Sequence, residues 1–161
     1  MEVERRLVQL GLALPAAMVL PAEVKVPFAW VRVRGSRAFV SGHGALELNG
    51  SPAAPFGRVP SEVTLEEAQR SSRLATLAIL SNLKATVGDL DRIIAWNVVN
   101  GHINAEAGYS QTTAVMNPAS ELILELFGDE IGVHARTAIG VSALPLNLPV
   151  VISAEVEISP E

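Results

Sequence analysis

The sequence predicts an α+β fold: one mixed sheet with two main helices on one face. Three observations carry that expectation. Short segments of period-two or unbroken apolar character alternate with two long segments of helical period. Each long helical segment lies between strands, so right-handed crossovers return both helices to the same side of one sheet. The length of 161 residues suits a single domain that buries roughly 70% of the surface its unfolded chain exposes. The expected organisation is one domain over 1–161, with an N-terminal helix and extended leader over 1–26 and the core over 27–158.

Residues 3–12 place Val3, Leu7 and Leu10 on one helical face, and Pro15 and Pro21 then hold the chain extended. Trp30 to Arg34 alternates as a half-buried strand does. Gly35-Ser36 suits a two-residue type II′ turn, and Ala38 to Ser41 returns as the second strand. Gly42-His43-Gly44 interrupts that strand, Ala45 to Leu48 reads as a third short strand, and Asn49 to Pro60 is a Gly- and Pro-rich loop. Thr64-Leu65-Glu66-Glu67 is a capping box. The helix it opens carries Leu65, Ala68, Ser72, Ala75, Ile79 and Leu83 at spacings of three and four, and Gly88 stops it. Arg92 to Val99 is a nearly continuous apolar run, as in a central strand, and Asn100 to Ser110 is a polar loop. Asn117-Pro118 reads as a cap followed by proline at the first helical position; that helix runs to Phe127 and ends at Gly128. Arg136 to Leu144 and Val150 to Ile158 are the last strands, joined by the turn Pro145 to Pro149. Nothing in the chain remains to cover the second sheet face. With 49% hydrophobic and only 18% charged residues, copies of the same chain are the simplest cover.

Composition also excludes. A net charge of -5 disfavours a nucleic-acid partner, whose affinity comes mostly from Lys and Arg on phosphates. The absence of cysteine removes thiol nucleophiles, disulfides and cysteine-held metals. Leu7 to Leu20 follows Arg5 and Arg6, but Glu2 and Glu4 cancel those charges, and Gln9, Gly11 and Pro15 break the run. No stretch reaches the 18 or more apolar residues of a membrane span, so a cytoplasmic protein without a membrane partner is expected. The three histidines have no metal-ligand spacing, and no nucleotide or serine-hydrolase motif occurs, so neither metal nor cofactor is expected.

Arg136-Thr-Ala-Ile-Gly-Val-Ser-Ala-Leu-Pro145, followed by Val150-Val-Ile-Ser-Ala-Glu-Val-Glu157, resembles the signature of the RidA/YjgF family, formerly labelled "endoribonuclease L-PSP". Pro27, Phe28 and Gly35, then Phe39-Val40-Ser41-Gly42, and Leu90-Asp-Arg-Ile fit the family's earlier strands in order. The leading helix and the phrase His134-Ala-Arg-Thr-Ala-Ile-Gly-Val look like a longer branch of it. The resemblance implies a chorismate-mutase-like fold and a homotrimer with ligand sites in the clefts between subunits. It also implies cofactor-free hydrolysis of 2-imino and enamine acids to 2-keto acids and ammonia.

Arg136 is the candidate catalytic and substrate-binding residue: the matching family arginine clamps the substrate carboxylate, and a planar guanidinium gives two parallel charge-assisted bonds to such a group. Its plain alternative is an arginine at a strand start, exposed or paired with Glu155 or Glu157. Ser41, Gly42, His43, Phe28 and Asn117 complete the expected substrate-binding set. Each has a structural alternative: a strand bend at Ser41 to His43, core packing at Phe28, a helix cap at Asn117. Ala138 replaces a common family cysteine. The family's water-holding glutamate falls at Val151, and Glu106, Glu121, His43 or a residue of the neighbouring subunit are the possible substitutes. The expected function is therefore a trimeric deaminase acting on a small carboxylate metabolite, with a non-catalytic metabolite-binding trimer as the alternative.

Overall fold

The C-terminal strand shows where the core lies. Along β5 (Val150–Ile158), Val150, Ile152, Ala154, Val156 and Ile158 are buried, and the four residues between them are only partly so. Period two thus sends one row of side chains under helices and leaves the other row on an open face. The computed structural model describes residues 1–160. Its five strands are β1 (Val31–Arg34), β2 (Arg37–His43), β3 (Ile93–Asn104), β4 (Ala135–Val141) and β5, in the order β1-β2-β5-β3-β4. Only β3 and β4 pair in parallel, the pair joined through a helix. The mixed sheet with both long helices on one face is the fold expected above, and the opposite face has no cover from the described residues.

The local signals for α2 (Leu65–Val87) are realised in full. Thr64 accepts from the Glu67 amide, Glu67 bonds back to the Thr64 amide, and Gly88 closes the helix at φ 83°. Ala68, Ser72, Ala75, Ile79 and Leu83 are buried along its stripe. The β1–β2 hairpin has the two-residue turn, with Arg34 opposite Arg37 and Gly35 at φ 59°.

Elsewhere long-range pairing overrides local cues. The first helix, α1 (Glu2–Gln9), buries Val3 and Leu7, but Leu10 lies beyond it and is exposed. It packs on the helix α3 (Thr112–Gly132) and on the turn at Leu90–Arg92, where the Met1 ammonium and the amides of Glu2 and Val3 donate to the Asp91 carboxylate. Gly42 and His43 do not interrupt β2; the strand continues through His43 with a bulge after Val40. The expected strand over 45–48 reduces to a single bridge, Leu46 to Pro52. β3 runs on to Asn104 because β4 and β5 pair with both its edges. Gly101 is needed there: a Cβ would overlap the Met116 side chain of α3.

The expected cap at Asn117-Pro118 is a correction. Helix α3 (Thr112–Gly132) begins six residues earlier, and Asn117 and Pro118 lie inside it. Proline has no N–H for the Ala114 carbonyl; the Gln69 side chain of α2 donates to that oxygen instead, at 2.9 Å. Gly128 at φ 73° does break the helix, and one more short helical stretch follows it. β4 also ends at Val141, short of the expected Leu144.

Candidate functional site

The six residues singled out above fall into two groups on opposite sides of the sheet: β4 is an edge strand, and β2 runs past the end of β1, which leaves Gly42 and His43 at a local edge. Arg136 and Asn117 sit at β4. Phe28, Ser41, Gly42 and His43 sit at β2. Since β5 and β3 lie between, three strand spacings, about 14 Å, separate the two edges within one chain.

At the β4 edge, Arg136 aligns with Val99 and so points to the helix side of the sheet. Its Nη1 donates to Ser120 Oγ at 3.0 Å, and its Nη2 donates to Asn117 Oδ1 at 3.0 Å and to the Thr113 carbonyl at 3.4 Å. Asn117 is thus a partner of the arginine, not a helix cap. Ser120 Oγ also lies 2.9 Å from His134 Nε2, and His134 Nδ1 lies 2.7 Å from the Gly132 carbonyl. A carbonyl only accepts, so Nδ1 donates to it. The chain of bonds Arg136–Ser120–His134–Gly132 holds the guanidinium half-buried. No carboxylate among the described residues pairs with it, and two of its five N–H groups have no partner. Neither alternative partner, Glu155 or Glu157, pairs with Arg136; Glu155 is taken by Arg37 and by Asn97 on the open sheet face.

At the β2 edge, Ser41 Oγ donates to the Ala29 carbonyl at 2.7 Å, and Gly42 is exposed. Phe28 is 50% exposed, which excludes ordinary core packing, and stands edge-on to Trp30 at 5.1 Å. His43 is buried. Its Nδ1 donates to the Ser41 carbonyl at 2.5 Å, and its Nε2 accepts from Asn82 Nδ2 at 3.0 Å. Burial holds its pKa below the ordinary value of 6.5, with the Ser41 bond opposing. The ring is therefore neutral, with both nitrogens engaged. Beside it opens a cavity of about 330 Å³, walled by Val24, Val26, Phe28, Trp30, Leu148 and Val151 among others. Val151 packs against Gly42, where a Cβ would come within 2.8 Å of Val151 Cγ1.

The substitute acids do not gather at either edge. Glu106 accepts from Ser61 at 2.5 Å and lines a second hollow with Arg58 and Tyr109, at the far end of β4 from Arg136. Glu121 is exposed on α3. For a metal, Glu4, Asp89 and Asp91 bring ligand atoms within 4.8 Å of one another, but the Met1 ammonium and Lys84 already face that group. Ser120 and His134 were not identifiable as site residues from sequence. The one signal for His134 was the phrase His134-Ala-Arg136, which places it two residues ahead of the arginine at the start of an edge strand; Ser120 had none.

A family model described as "YjgF/chorismate mutase-like, putative endoribonuclease" matches residues 4–157. Protein TCP17 of Trypanosoma cruzi is 35% identical over 157 residues, spanning 98% of this chain and 94% of that protein. The crystal structure of Atu1372 from Agrobacterium tumefaciens, of unknown function, matches with a TM-score of 0.85 at 34% identity, over 98% of this chain and 92% of that one. A Shewanella oneidensis structure, described in the same endoribonuclease terms as the family, has a TM-score of 0.85 at 28% identity, over 98% and 100%. Among the described residues no helix is long and apolar enough to cross a membrane.

Proposed function

The chain belongs to the YjgF/chorismate mutase-like family, and from that premise we propose a homotrimer whose clefts bind small carboxylates and hydrolyse 2-imino acids and their enamine tautomers. Each cleft would join the β2 edge of one copy to the β4 edge of the next, because the two halves of the site lie too far apart within a chain. The observation that carries this proposal is Arg136, a half-buried cation held by three neutral oxygens and paired with no carboxylate among the described residues. A cation drawn partly out of water gains from a counter-ion, and a substrate carboxylate supplies one.

The chemistry needs little more than placement. An enamine first takes a proton at carbon to become the imine. Water adds to the imine carbon, the carbinolamine expels ammonia, and C=O replaces C=N. Arg136 fixes the carboxylate and so the face open to water; such positioning alone supplies several kcal/mol. Val151 offers no lone pair to orient water, and a lost general base costs about 10²–10⁴-fold. That favours a second proposal, a trimer that binds the same acids without turnover. RNA cleavage fits less well, because the net charge of -5 opposes phosphate binding.

Imine hydrolysis coupled to an amino-acid oxidase, run on wild type, Arg136→Ala and Val151→Glu, tests the proposal. Wild-type activity that disappears in Arg136→Ala supports the deaminase. An inactive wild type with Arg136-dependent carboxylate binding moves the assignment to the binding trimer. RNA degradation lost in Arg136→Ala would overturn both.

A further inference from the structure

We infer that the cavity at the β2 edge is the side-chain subsite of this cleft and takes a hydrocarbon group, so the preferred acids carry an apolar side chain of several carbons. This rests on the proposed role of Arg136 as the carboxylate clamp. The cavity's volume of about 330 Å³ lies at the small end of ordinary ligand pockets. Of the side chains on its wall, only His43, Asn82 and Trp30 carry a polar nitrogen. His43 and Asn82 are bonded to each other, and no wall residue is charged, since His43 is held neutral. A hydroxyl, amide or second carboxylate entering here would leave water and find almost nothing to bond, which is unfavourable. A methylene group gains by leaving water. Val151 completes the apolar wall at the place where an acidic side chain would have admitted water. The leader adds Met18, Leu20, Val24 and Val26 to the lining. The residues ahead of β1 therefore shape a pocket as well as packing on the helices.

Trp30 lines the cavity, whereas the other tryptophan, Trp96, is buried in the core against Phe127. Trp30 emission is thus a local reporter. The full chain is titrated with straight-chain monocarboxylates from acetate to octanoate, as wild type, Trp30→Phe, Val151→Glu, Val151→Thr and Arg136→Gln, with circular dichroism confirming that each variant folds. We expect Kd to fall about fourfold per added methylene until the cavity is full, with a fluorescence change that Trp30→Phe abolishes. Val151→Glu should flatten the series, and Val151→Thr, nearly the same shape, should flatten it partly. Arg136→Gln should weaken every acid by a similar factor and leave the slope unchanged. A flat wild-type series that still depends on Arg136 overturns the hydrocarbon subsite and leaves the carboxylate clamp standing. A steep series that Arg136→Gln does not shift sustains the subsite but overturns the clamp. No Trp30 response to any acid means that chain, from the leader or a second copy, fills the cavity, and this also overturns the subsite.

Discussion

At the β2 edge the polar side chains beside the cavity satisfy one another, His43 with Asn82 and Ser41 with the backbone, and what faces outward is hydrocarbon. At the β4 edge a full positive charge is held by a serine, an asparagine and a carbonyl, none of which neutralises it. Three guanidinium N–H groups are bonded there, but two N–H groups and the charge have no partner among the described residues. Hydrogen bonds that hold a cation in place do not neutralise it, so satisfying hydrogen bonds and compensating charge are separate conditions.

The contrast can be broken from either side, and the largest effect belongs to the charge. Arg136→Gln keeps hydrogen-bonding capacity but removes the cation. Carboxylate affinity should fall about 10- to 100-fold, as expected when a charge-assisted bond is lost, with little change in folding; calorimetric titration against unfolding curves checks both. At the other edge, Asn82→Ala leaves His43 Nε2 without a donor. Here the loss should be in stability, about 1–3 kcal/mol, read from urea midpoints, while Arg136-dependent binding persists.

Smaller changes sharpen the comparison. Ser120 acts through Arg136 and is a positioning residue. Ser120→Ala should raise KM, or Kd in a binding protein, about fivefold, in line with one hydrogen bond of about 1 kcal/mol, and leave kcat nearly unchanged. Ser120→Thr should restore most of that loss. A fall in kcat alone would contradict the positioning role. The pH dependence should be the gentlest signature. The folded-state pKa of His43 lies below its ordinary 6.5, so the unfolded chain binds the proton more readily. Stability contributed by the neutral ring is complete above about pH 6.5 and declines as pH falls through that value toward the folded pKa. A melting-temperature profile between pH 7.5 and 5 should slope downward toward acid, and His43→Gln should lessen that slope.

The helix α2 and the first hairpin were legible because their signals are local. A capping box acts over three residues and a Gly-X turn over two, so both survive whatever the rest of the chain does. Asn117-Pro118 misled for the complementary reason. Proline inside a helix is tolerated here only because Gln69, on another helix, bonds the carbonyl that proline leaves free. Polar Asn100, Gly101 and His102 read as loop, yet they lie within a strand because neighbours pair with both edges. Of the site, Arg136 was legible from its motif, and Val151 as the departure from it. Ser120 and His134 were not, since a serine on a helix and a histidine before a strand have no local mark of a shared hydrogen bond.

Taken alone, the sequence determined the α+β class, the capped helix, the hairpin, the family and the candidate arginine, all set by periodicity, turn chemistry or short motifs. Tertiary structure decided that Arg136 is held by neutral partners, that His43 is spent on Asn82, that Val151 walls an apolar cavity, and that the two groups of candidate residues lie on opposite sides of the sheet. These depend on which strands become neighbours and in what register, and register is fixed by the packing of the whole sheet under its helices.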